Sequence, residues 1–426
     1  MLTVGSIITG KVVDVDFAGQ GIIKAYDVVI FVKGLLMDEV AEIRIKALKK
    51  RFAEADVLNI IERSTDRREH QESHLGSLDL VHMSDEAQLT WQSRLTKETF
   101  WKIAKTDVEV EPIITDYRYE YYRNKSVFHV MSMPTLTFGL YKKDGHGLAK
   151  VRHFSLSDHT TNAIIEGLSK ARIFIDFSIF KQIAIRTNLK GEALVTLISM
   201  KKSFKGLNDI LRYLQTLNYV IGVTLNIKDD SKKILGETSI TLFGESIIYQ
   251  RVQDIDYPVT DQSFFQVNVP VIIKAYDIIK SNLLNHMHVI DAYSGVGVIG
   301  YYIASNAKKV TMIESNKDAY TMANMIKKAH HYDHVEIVFG TVEQTIEQVN
   351  GDVIILDPPR NGLMPELLTH LVEKPYKQCF YLSCDLKTLS RDMYKLLDAY
   401  NIKKIYPIRM FPQTTECETL VILVKK

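Results

Sequence analysis

The sequence predicts a multi-domain chain that ends in a doubly wound, Rossmann-like α/β sheet, preceded by a small OB-like β-barrel and an α+β middle domain. Three observations carry that expectation. A chain of 426 residues is too long for one hydrophobic core, because single cores stop growing at about 250–300 residues. Residues 1–60 consist of short β-rich runs separated by turn residues. From residue 263 onward, buried apolar runs alternate with amphipathic ones, the strand–helix–strand order that builds a parallel sheet.

Taken in order, "SIITGKVVDVD", "GIIKAYDVVIFV" and "EVAEIRIKAL" are rich in β-branched residues. Gly19, Gly21, Asp27 and Gly34 punctuate them, which suits a small antiparallel barrel. Such barrels often bind oligonucleotides, and a β module without a ligand fits this stretch equally well. Residues 61–106 form a connecting segment ending in "DEAQLTWQSRLTKETFWKIAK", whose apolar spacing and helix formers predict a helix. Residues 107–262 read as alternating strands with two helices, near "SDHTTNAIIEGLSKARI" and "FKGLNDILRYLQTL". Residues 263–426 open with helix "VPVIIKAYDIIKSNLL" and the strand–turn–helix "HVIDAYSGVGVIGYYIA". Strand "KKVTMIES", helix "KDAYTMANMIKKAHH" and strands "HVEIVFG", "DVIILD", "QCFYLSC" and "TLVILVK" come after them.

Composition excludes several classes. Apolar residues make up 46% and charged residues 24%, ordinary values for a globular protein. No window approaches the roughly 18 uninterrupted apolar residues of a membrane span. The start, "MLTVGSIITGKVV", lacks the pattern of a secretory signal. The three cysteines, Cys379, Cys384 and Cys417, cluster near the end and make neither a disulfide framework nor a four-thiolate metal site. The expectation is a reduced, cytoplasmic protein, monomeric by default and without a membrane. A net charge of +2 announces no nucleic acid, though runs such as "RIKALKKRF" and "SMKKSFKG" allow a local basic face.

In an open α/β sheet, ligands bind beyond the carboxyl ends of the strands. The polar residues expected there are Asp291, Tyr293 and Ser294 after the first strand and Glu314 after the second. Asp357 with Arg360 end a later strand, and Cys384 with Asp385 end another. "DAYSGVG" lets the backbone pass close to a ligand and then opens a helix, a weak signal alone. Glu314 at the next strand end suits a ribose diol. The loop lacks a full G-x-G-x-x-G, which favours S-adenosylmethionine over a dinucleotide. "DPPR" is more specific, a carboxylate fixed by two prolines where a substrate base would sit. Free cysteines most often pack inertly, and Cys379, within its strand, is read as such a filler. Cys384 lies at the ligand edge. A thiolate and a carboxylate beside a methyl donor have a defined use: addition at C6 of uracil makes C5 nucleophilic, and a base then removes the C5 proton.

With these residues in view, the chain resembles the RNA uracil-5-methyltransferase family over nearly its full length. "VDVDFAGQGIIKAYDVVIFVKGLLMDEV" resembles the family's N-terminal TRAM barrel, and "YYRNKSVFHV" its central "YRNK" signature. "SFFQVNV", "DAYSGVG", "DPPRNGL", "YLSCDLKTLSRD" and "FPQTTECE" match successive motifs of its catalytic domain in order. The resemblance implies an S-adenosylmethionine methyltransferase domain over 263–426 and RNA-binding modules before it. It implies that Gln266, Tyr293, Glu314 and Asp357 contact S-adenosylmethionine, that Cys384 is the nucleophile and that Glu418 is the base. Arg123, Lys125 and Arg360 would face the RNA. The substrate implied is 23S ribosomal RNA, with transfer RNA as the alternative, because enzymes of the transfer-RNA type commonly lack the barrel.

Departures from the family pattern bear on two expectations. Many relatives carry a four-cysteine iron–sulfur cluster, whereas this chain has Leu75 and Leu78 where two of the thiols would stand and no cysteine before Cys379. No cluster is therefore expected. Ser294 replaces a usual cysteine, Asp385-Leu386 replaces "NP" after the nucleophile, Glu416 replaces a histidine and Arg409 an aspartate. These changes leave open a divergent RNA-binding paralogue with little or no activity. A second carboxylate near Glu418 is expected to raise the pKa of one of the pair if both are buried.

Overall fold

The computed structural model describes residues 2–143, 145–228 and 233–426. Alternating burial closes the first five strands, Ile7–Val15, Gln20–Ala25, Val28–Lys33, Val40–Leu48 and Phe52–Glu62, into a barrel. Val12, Ile23, Ile30, Val32, Ile43 and Ile45 point inward and are almost completely buried. The antiparallel expectation holds except at one pair. The fourth strand crosses to the first, so the fifth returns between the fourth and the third and runs parallel to the third. A buried carboxylate ties the barrel to the connecting segment: Glu39 accepts the Leu36 amide at 2.8 Å and the Arg67 Nη2 at 2.7 Å.

Ser84 caps the helix Asp85–Thr99, its hydroxyl accepting the Ala87 amide, and Asp85 and Glu86 complement the helix dipole. The helix runs on into a π-helical turn, Phe100–Ala104, that Lys105 ends at a φ of 57°. Leu80, Met83 and Trp91 pack with Val15 and Leu36 of the barrel and with Cys417. That small core fixes the barrel against the far end of the chain. Leu75 and Leu78 are fully buried in the core of the middle domain, so apolar volume occupies the positions where cluster thiols would stand.

The middle domain is a seven-stranded sheet. Helices His159–Lys170 and Leu207–Gln215 cover one face, over Phe128, Ile183, Ile185, Val195, Leu197, Val223 and Leu225. Alternation and register put Lys125, His129, Gln182, Arg186, Thr196, Thr224 and Asn226 on the other face. Two segments within 107–262 pack on the last sheet. Glu111 and Ile114 donate their amides to Ile405 and Pro407 carbonyls at 2.8 and 2.9 Å. The hairpin Ile248–Val252 and Ile255–Val259 shares one core with Val289, Ile355 and Phe380. Leu194 and Ile221 of the middle sheet join that same core, so the hairpin bridges the two sheets.

The last sheet has the order Val335–Phe339, Lys309–Glu314, His288–Ala292, Val353–Leu356, Gln378–Ser383, Glu418–Lys425, Tyr400–Ile408. The first five strands are parallel, and the last two are antiparallel to their neighbours. Chain order reverses between His288–Ala292 and Val353–Leu356, which opens the crevice where such sheets bind ligands. Among the described residues no helix is long and apolar enough to cross a membrane.

Candidate active site

The crevice begins at Asp291, a fully buried carboxyl at the end of the first parallel strand. Its Oδ2 accepts the Gly300 amide at 2.8 Å, while Oδ1 has no partner. Burial raises its pKa to about 8 against that hydrogen bond, with Asp357 and Glu314 adding to the rise. Gly300 is needed here because a Cβ would press on the Met312 sulfur at 2.7 Å and on Asp291 itself. The loop then folds onto the second strand. Ser294 donates its amide to the Ile313 carbonyl at 3.0 Å. Gly295 donates its amide to Glu314 Oε2 at 2.7 Å, and Asn316 donates to the other Glu314 oxygen. Gly295 has a φ of 56° and open space where a Cβ would sit, so backbone lies bare beside the fixed Glu314 carboxylate. Tyr293 turns its hydroxyl to Glu343 at 2.8 Å.

On the other side of the switch point stands Asp357, whose pKa burial raises to about 7. Pro358 and Pro359 come next, then the exposed Arg360, which pairs with Glu416 at 3.0 Å. Cys384 leaves the strand Gln378–Ser383, and Asp385 caps the helix Leu386–Leu396 by accepting the Thr388 amide. Leu386 is buried against the helix core, so the departure from the family's turn is a well-formed N-cap. Strand register then brings base and thiol together. Ser383, the last residue of its strand, lies opposite Thr419 in the antiparallel pair, and Cys384 and Glu418 are the next residues beyond that pair.

The charges agree with that placement. Burial raises the Cys384 thiol to about 11, the Glu418 and Asp357 carboxylates push the same way, and Arg360 opposes them. Burial likewise raises Glu418 to about 8, helped by Asp357 and Glu416 and opposed by Arg360. The expectation required both carboxylates to be buried; Glu416 is only half-buried, and the burial of Glu418 itself is the larger cause of its rise. Arg409 stands away from this pair. Its guanidinium donates to Gln88 Oε1 and lies over the Tyr119 ring, 5.7 Å from the centroid.

The expected site residues thus fall into three groups. Cys384, Glu418, Asp357 and Arg360 are brought together. Glu314 ends the strand next to that of Asp291, and Tyr293 lies in the loop just after Asp291's own strand. Gln266, Arg123 and Lys125 line the seam between middle and last domains, where Asn124 Nδ2 donates to the Gln266 carbonyl at 3.0 Å. Arg123 lies 6.0 Å from both the Tyr122 and Phe411 ring centroids. Two residues escaped sequence reasoning. Asp392 is fully buried and accepts the Tyr381 hydroxyl at 2.7 Å, the Leu363 amide at 3.0 Å and Arg391 Nε at 2.9 Å. It binds the loop after "DPPR" to the strand that carries Cys384. The signal was a lone acid on the apolar face of its helix, three residues after Leu389. Arg186 is the second.

A family profile described as tRNA (Uracil-5-)-methyltransferase matches residues 84–426. The chain belongs to that family. Curated relatives agree with an RNA methyltransferase: it is 30% identical to an uncharacterized RNA methyltransferase of Fusobacterium nucleatum, with 100% of this chain and 97% of the relative covered. A Staphylococcus aureus RNA methyltransferase is 29% identical, with 97% of each chain covered. In fold, the chain is similar to the Pyrococcus abyssi tRNA (uracil-54, C5)-methyltransferase in complex with S-adenosyl-L-homocysteine, at a TM-score of 0.77 and 21% identity, covering 98% of this chain and 100% of that one. This uracil-5-methyltransferase family member is an RNA methyltransferase built on a doubly wound sheet. Its crevice fits the S-adenosylmethionine that the resemblance implies. Asp291, Glu314 and Asp357 offer acceptors, one buried Asp291 oxygen is unpartnered, and bare backbone at Gly295 leaves room beside them.

Proposed function

We propose that the protein methylates C5 of a uridine in structured RNA, with 23S ribosomal RNA as the substrate and S-adenosylmethionine as the donor. The observation that supports this reading is that Cys384 and Glu418 adjoin the paired residues Ser383 and Thr419, with the Glu418 and Asp357 charges both acting on the thiol. The N-terminal barrel, read as a TRAM module, supports an RNA substrate of either kind, because the Pyrococcus abyssi transfer-RNA enzyme matches 98% of this chain, barrel included. The reaction belongs in the cytoplasm, where such RNA is made and where Cys384 stays reduced.

S-adenosylmethionine, when bound, would supply an electrophilic methyl group and leave as the neutral thioether, and Glu314, Asp357, Gln266 and Tyr293 would hold it. The Cys384 thiol gives up its proton to solvent and its sulfur forms a bond to uracil C6, sending the C5–C6 π pair toward C5 and O4. Arg360 favours the thiolate. Once C5 carries the methyl group, Glu418 takes the C5 proton, the C5–C6 double bond re-forms and the sulfur–C6 bond breaks, returning the thiolate. A target held in a helix must be flipped out of its stack first. The barrel, Arg123 and Lys125 hold the RNA.

Tritium release from RNA labelled at uridine C5 tests the reading. Release that needs the methyl donor and disappears in Cys384→Ala is the expected result. Methylation that survives Cys384→Ala would point to transfer onto nitrogen and sink the covalent mechanism.

A further inference from the structure

Arg186 and Lys125 face each other across two antiparallel strands of the middle sheet, directly paired in register. Like charges so placed repel, and burial makes the repulsion stronger. Arg186 is only 3% exposed. One guanidinium N–H is used: Nη2 donates to the Ser263 carbonyl at 2.7 Å. Among the described residues its buried Nε and Nη1 find no acceptor, and the buried Gln182 Oε1 on the same face finds no donor. Lys125 is half-buried, and burial together with Arg186 lowers its pKa to about 8. Asp261 is the acid whose charge reaches both cations, and its carboxylate instead accepts the Ser239 hydroxyl at 2.5 Å.

Two neighbouring cations with two idle donors and, among the described residues, no paired carboxylate are costly unless an anion joins them. Their position says which anion. Ser263, held by Arg186, begins the segment that runs to Gln266, and Asn124, next to Lys125, holds Gln266 and Val267 through their carbonyls at 3.0 and 3.1 Å. The pair therefore sits under the strap that leads into the helix Val269–Asn282, at the seam between the middle and last sheets. We infer that Lys125 and Arg186 form an anion pocket that binds a backbone phosphate of the RNA on its way to Cys384. The inference rests on the RNA reading above and adds Arg186 to it.

The test is fluorescence anisotropy with 5′-fluorescein decauridylate as the probe, titrated at several potassium chloride concentrations. Each phosphate neutralised on a single strand contributes about 0.7 to the slope of log affinity against log salt. Lys125→Gln is expected to weaken binding and to reduce the slope by about 0.7, so that the loss of affinity over a fourfold rise in salt shrinks by about 2.6-fold. Arg186→Lys, which keeps the charge, should hold the wild-type slope. Arg186→Gln should lose it as Lys125→Gln does, with the thermal melt checked because Ser263 loses its donor. A Lys125→Gln protein with wild-type affinity and slope overturns the inference, as does wild-type binding that ignores salt. Because the readout is binding, a protein that shows the predicted slopes but releases no tritium would refute the methylation mechanism and leave the phosphate pocket standing.

Discussion

Asp392 gives the sharpest test of how the site is held. Asp392→Ala removes the acceptor of the Tyr381 hydroxyl and of the Leu363 amide, both buried, and frees Arg391. A buried donor left without a partner costs about 1–3 kcal/mol, and two such donors put the loss at about 2–6 kcal/mol. Asp392→Asn keeps one carbonyl oxygen but gives up the charge facing Arg391, for a smaller loss of about 1–2 kcal/mol. Urea denaturation of the full chain, followed by circular dichroism, reads the stability, and tritium release reads the chemistry. The alanine variant should unfold at lower urea. It should also turn over more slowly at saturating RNA, because the loop carrying Arg360 and the strand carrying Cys384 lose their common anchor. An alanine variant with the wild-type urea midpoint would refute the reasoning.

Two further predictions concern the buried acids. Glu418→Gln lacks the base for the C5 proton, so the Cys384–RNA adduct should accumulate and appear as a protein–RNA band on a denaturing gel; a variant with normal release and no band would remove Glu418 from that role. Asp291, Asp357 and Glu418 have folded pKa values near 8, 7 and 8, each above its unfolded value near 4, so the folded protein holds these protons more tightly. Their contribution is complete below pH about 4 and is lost as pH rises through about 7 to 8; the melting temperature should fall between pH 6 and pH 9, and Asp291→Asn should flatten that fall.

Much of this was legible because the relevant signals are local. The alternation of strand and helix, the glycines of "DAYSGVG" and the prolines of "DPPR" each constrain a few adjacent residues, and the ligand edge of a parallel sheet can be placed from them. Cys384 could be singled out from Cys379 because one ends its strand and the other lies inside it. The rest depended on pairings between distant segments. Nothing near Arg186 in the chain shows that Lys125 will stand opposite it, and the apolar alternation of the 248–259 hairpin does not say which of two cores it joins. Glu416 looked like a partner of Glu418 by spacing, yet its side chain closes on Arg360, a contact set by the loop's path.

The small core shared by Val15, Leu36, Leu80, Met83, Trp91 and Cys417 limits how this protein can be cut or recombined. A fragment beginning at residue 84, where the family match starts, would retain every proposed catalytic group. It would also strip Trp91 and Cys417 of four of their apolar neighbours, one residue away from Glu418. The barrel is thus not an interchangeable tag on an independent catalyst: swapping it for another nucleic-acid module would require rebuilding the floor beneath the base.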